Sequence, residues 1–76
     1  MDEEAFNLSV RRFLKKLGVT SQREIELAVR DQLDSGGLQG EETLQARAVV
    51  TVEGLDREIV VTGDIALSGE PSGSPK

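Results

Sequence analysis

The densest chemistry in the sequence is the run RRFLKK, residues 11 to 16. It places Arg11, Arg12, Lys15 and Lys16 together, with Arg23 the next cation along the chain. Clustered cations at this spacing form a candidate anion patch, of the kind that holds phosphate or nucleic acid. The rest of the chain argues against that use. Nine basic residues stand against fourteen acidic ones, for a net charge of −5. An acidic chain repels phosphate at long range. Trp and Tyr are absent, which leaves Phe6 and Phe13 as the aromatic rings on which a base could stack. The favoured reading is a solvated helix face whose last-turn cations, Lys15 and Lys16, complement the helix dipole. Nucleic acid is not the expected partner.

The remaining reactive groups are sparse. There is no histidine and no cysteine. That removes the commonest general base, the commonest metal ligand and any thiolate site. Glu41, Glu42, Glu53, Asp56, Glu58 and Asp64 supply carboxylates, but no calcium-loop spacing occurs among them. Acid–base work would also need burial or a close partner to shift a carboxylate. Ser9, Thr20, Ser21 and Ser35 have no histidine to activate them. GGLQG lacks the spacing and the Lys-Ser/Thr ending of a phosphate loop. The sequence therefore assigns no catalytic, cofactor-binding or metal-binding residue, and the protein is not expected to be an enzyme or to carry a cofactor.

The elements that must position these groups follow from apolar spacing. Phe6, Val10, Phe13, Leu14 and Leu17 recur on one face of a helix, with Asp2, Glu3 and Glu4 in its first turn. Gly18 is expected to end that helix in a left-handed conformation, and Val19 to anchor the bend. Ser21 and Glu24 have the spacing of a capping box that starts a second helix, with Ile25, Ala28, Val29 and Leu33 as its stripe. SGG, residues 35 to 37, ends it. The two helices form an αα-hairpin.

Beyond the connector LQGEET the apolar period changes to two. Leu44, Ala46, Ala48, Val50 and Val52 form one strand face, and Ile59, Val61, Gly63, Ile65 and Leu67 another. The register expected from the longest apolar match sets Val52 against Ile59, Val50 against Val61, Ala48 against Gly63, Ala46 against Ile65 and Leu44 against Leu67. It places Arg47 opposite Asp64, and sets Glu53 against Glu58 as a like-charge cost beside the turn. The fold class is α+β, an αα-hairpin followed by an antiparallel β-hairpin. Residues 1–67 form one small domain, and residues 68–76, rich in Gly, Pro and Ser, form a disordered tail.

A minor apolar surface is left over once the core faces are assigned. Leu8 and Leu27 lie opposite their helix stripes, and Val49 and Val60 lie on the outer sheet face. Single exposed apolar residues are ordinary, but together these form a candidate partner surface. A lone hairpin also has two open edges and is marginal by itself. The chain is therefore expected to form a homodimer, intertwined or edge-paired, and an unidentified protein partner fits the same surface. No apolar run approaches the roughly 20 residues that span a bilayer, and the acidic start MDEEAFNLSV is unlike a signal peptide. A cytoplasmic protein without membrane contact is expected.

LGVT also looks like the turn of a helix-turn-helix, with the β-hairpin as a wing, so a diverged nucleic-acid-binding regulator is the alternative. The pattern departs where it matters, because Glu24 stands where that motif buries an apolar residue. Its reading helix would also turn Glu24, Glu26, Asp31 and Asp34 toward phosphates. As a whole, the segments FLKK-GVTSQREIE, SG-L-G-ETL-AR and EGL…GDIAL resemble an uncharacterised family of short bacterial proteins classed as a domain of unknown function. The resemblance covers residues 3 to 67 and implies a self-contained α+β unit. It transfers no activity and no site residue.

Overall fold

The computed structural model describes residues 1–69. One helix, α1 (Glu3–Ser35), precedes two strands, β1 (Thr43–Thr51) and β2 (Glu58–Ala66). The expected α+β class holds. The chain divides into two units, Met1–Gly37 and Leu38–Lys76.

In the first unit the αα-hairpin is replaced by a single helix of 33 residues. Gly18 does not adopt the left-handed conformation that a helix stop requires; the positive-φ glycines are Gly36, Gly40, Gly54 and Gly69. The Ser21–Glu24 capping box does not form, because α1 runs on without interruption and leaves no terminus there to cap. A lone glycine costs a helix only about 1 kcal/mol against alanine. Carrying the helix across one residue also costs less than nucleating a second helix after a break. The helix-turn-helix turn is therefore absent.

The true ends are well made. Asp2 is the N-cap, its carboxylate accepting the Ala5 amide at 3.1 Å. Gly36, with φ 88°, closes the other end. Its N–H donates to the Leu33 carbonyl at 3.3 Å, and the Gly37 N–H donates to the Gln32 carbonyl at 2.8 Å. These two bonds make a Schellman stop.

In the second unit β1 and β2 pair antiparallel as a two-stranded sheet. The apolar faces are those expected, but the register differs by two residues. Val50 faces Ile59, Ala48 faces Val61, Ala46 faces Gly63 and Leu44 faces Ile65. A shift of two keeps every side chain on its face. It lengthens the turn to residues 52–57 and releases Glu53 from Glu58, which now faces Thr51. The turn closes with the Leu55 N–H donating to the Val52 carbonyl at 3.1 Å and with Gly54 at φ 89°. Beyond the strands, the Leu67 N–H donates to the Glu42 carbonyl at 3.0 Å in the same register. Leu44, Ala46, Val50 and Ile65 are half-buried on the apolar face. Of the expected tail, Ser68 and Gly69 form a bend and residues 70–76 lie outside the described residues.

Candidate interaction surface

Continuity of α1 rearranges the groups that the sequence singles out. On one helix of about 50 Å, at 1.5 Å per residue, the second stripe is turned about 90° from the first, so the apolar band winds around the helix as it runs along it. None of the described residues is buried. Phe6, Phe13 and Leu14 are 50%, 48% and 50% exposed, and Val10, Ile25 and Leu33 are close behind. Leu17, Ser21 and Val29 are half-buried. Near the middle of this band Gly18 has open space around it, since a Cβ there would meet nothing within 4 Å.

The cations change position too. Lys15 and Lys16 are not in a last turn, because the last turn of α1 holds no basic residue. They sit mid-helix, where dipole compensation is absent. Arg11 with Lys15 and Arg12 with Lys16 are like-charge neighbours at i,i+4, each costing a few tenths of a kcal/mol. Among the described residues none of these cations makes an ion pair. At about 100° per residue Arg11, Arg12, Lys15, Lys16 and Arg23 all fall within an arc of about 140°, with Arg11 and Lys15 at the edge nearer Ile25 and Val29 and Lys16 at the other edge. The five cations are thus gathered on one side of the helix, away from the stripe of Phe6, Val10, Phe13, Leu14 and Leu17.

Leu8 and Leu27 are exposed, at 46% and 50%. On a continuous helix they stand about 28 Å apart along the axis and about 100° apart around it. They do not form one surface. Val49 and Val60 do come together, as direct cross-strand partners on the outer sheet face, 44% and 47% exposed. Beside them Arg47 faces Thr62, not Asp64. Asp64 instead faces Gln45, whose Nε2 donates to its Oδ1 at 2.7 Å.

One feature of the connector has no counterpart in the sequence reading. The Glu42 carboxylate folds back and accepts backbone N–H groups from Gln39 at 2.9 Å, Gly40 at 2.9 Å and Glu41 at 3.2 Å. Donation from Gln39, then Gly40, then the Glu42 and Glu41 amides, holds its carboxyl below the ordinary glutamate range, against a small opposing desolvation. Gly40, at φ 102°, allows the amides to converge. Glu42 is therefore an internal anion that shapes the loop leading into β1. The sequence signal for it is an acidic residue two positions after a glycine in a short polar loop.

Among the described residues no group of three or more carboxylates could hold a metal ion. No helix there is long and apolar enough to cross a membrane. No curated protein and no solved structure matches the chain. A family of unknown function, DUF6494, matches residues 1–68. The match takes in α1, the Glu42 loop and both strands, nearly all of the 76 residues, and the chain belongs to that family.

Proposed function

We propose that this is a non-enzymatic structural or interaction protein of the bacterial cytoplasm whose first partner is a second copy of itself. The observation that carries the reading is the apolar band of α1, exposed along a helix of 33 residues with no side chain buried. Helices in proteins owe most of their stability to packing of such a face. A contiguous apolar stripe left open to water marks an interaction site. The two-stranded sheet adds two open edges among the described residues. Its outer Val49–Val60 pair offers a place for a further protein partner.

The face offers about a dozen residues, fewer than the 20–30 per side of a standard interface. The expected dimer is therefore weak, with a dissociation constant of micromolar order. Sedimentation equilibrium on the full chain from about 1 to 200 µM tests this. A mass rising from one chain to two across that range supports the reading. A monomer throughout removes it.

A further inference from the structure

We infer that two copies pair through α1 in antiparallel orientation, with Lys15 of each chain beside Glu26 of the other. This rests on the self-association proposed above and goes beyond it by naming the face and the direction. The apolar face fixes the surface, and the charges beside it fix the orientation.

Residues 10–19 of α1 carry four cations and no carboxylate. Residues 24–34 carry Glu24, Glu26, Asp31 and Asp34 against Arg30 alone. A parallel pair in register would bring the four cations of one chain against the same four of the other. It would also bring Asp2, Glu3 and Glu4 against their copies and align the two helix dipoles. An antiparallel pair reverses each of these contacts. With the two-fold axis passing near residues 19 and 20, Leu14 meets Ile25 of the other copy and Val10 meets Val29. Gly18 and Ser21 lie where the helices are closest. At about 100° per residue Lys15 and Glu26 point within about 20° of each other, roughly 100° to one side of the row Val10, Leu14, Gly18, Ser21, Ile25 and Val29 that meets in this pairing. The two-fold axis then sets them side by side twice. Glu26 is already oriented, its Oε2 accepting from Gln22 Nε2 at 3.0 Å.

The test is a charge exchange in the full chain, followed by sedimentation equilibrium at low ionic strength. Circular dichroism confirms that each variant keeps its helix. Lys15→Glu and Glu26→Lys each turn two attractive pairs repulsive and are expected to weaken the dimer about tenfold. The double variant is expected to return to within about twofold of the parent, and the effects to shrink in high salt. A dimer that ignores both single changes, or tightens with Lys15→Glu, overturns the antiparallel pairing and leaves self-association standing. A monomer at every concentration overturns both.

A second readout does not depend on charge. The chain has no cysteine of its own. Leu14→Cys and Ile25→Cys chains, mixed in equal amounts and oxidised, should give mainly the mixed disulfide. An excess of the two self-disulfides would overturn the proposal.

Discussion

Gly18→Ala separates a continuous helix from a bent one by the sign of its effect. The continuous α1 places Gly18 about fifteen residues from either end, without positive φ and with no atom within 4 Å of the added methyl. In the single chain the substitution then changes little except helix propensity, where alanine is better by about 1 kcal/mol. The folded-to-unfolded ratio should rise about fivefold, and Tm by about 4–8 °C for a chain of this size. Gly36→Ala is the matched control. Gly36 has φ 88°, so alanine there enters the left-handed region and should cost about 1 kcal/mol or more. Far-UV circular dichroism during thermal and urea unfolding reads both. It must be run over a dilution series, because self-association raises apparent stability with concentration. The expected result is opposite signs for the two glycines, with the Gly18→Ala gain surviving at the lowest concentration. A loss of stability in both variants would mean that Gly18 also terminates a helix, and the single-helix account would fall.

Two further substitutions probe the local devices. Ser21→Ala should be neutral or add a few tenths of a kcal/mol, as expected inside a helix. A loss of about 1 kcal/mol in chemical denaturation would instead reveal a working cap at Ser21. Glu42→Gln should speed hydrogen exchange at the Gln39, Gly40 and Glu41 amides while leaving helicity unchanged, as read by NMR. The same amides report pH. The folded loop binds the Glu42 proton less readily than the unfolded chain, so its contribution is complete above the ordinary glutamate range and is lost as pH falls through and below it. Protection at these three amides that stays constant down through that range would contradict the carboxylate's role.

The ends of α1 were legible because each depends on residues that can serve only an end. The SGG run at 35–37 is such a signal and ends the helix as read, whereas Asp2, expected within the first turn, is the N-cap just before it. The middle was illegible for the converse reason. Gly18, Ser21 and Glu24 have the types and spacing of a stop followed by a start, but each is also tolerated inside a helix at modest cost. What decides is that carrying the helix across one glycine costs less than nucleating a second helix, which the Phe6–Leu17 and Ile25–Leu33 stripes do not report. Read as two separate stripes, the same residues support two helices equally well. The sheet shows a related ambiguity. Alternation fixes which face a residue takes, and those assignments hold for every residue of both strands. It cannot distinguish registers that differ by two, and the Glu53–Glu58 conflict was the available hint that the turn is longer.

Continuity of α1 also changes what the charges mean. In a helix ending at Leu17 the cations Lys15 and Lys16 would have a local purpose, stabilising the negative end of the dipole. In a helix ending at Ser35 that purpose disappears, and Arg11–Lys15 and Arg12–Lys16 become costs with no ion-pair partner among the described residues. An unoffset cost within a segment that also carries an open apolar face points outward, toward a surface of opposite charge. The acidic second half of the same helix is such a surface, and antiparallel pairing is the arrangement that brings it there. The misread glycine and the unexplained cations are therefore one problem. Once Gly18 lies inside the helix, the dipole no longer accounts for the cations beside it, and the antiparallel pair proposed above does.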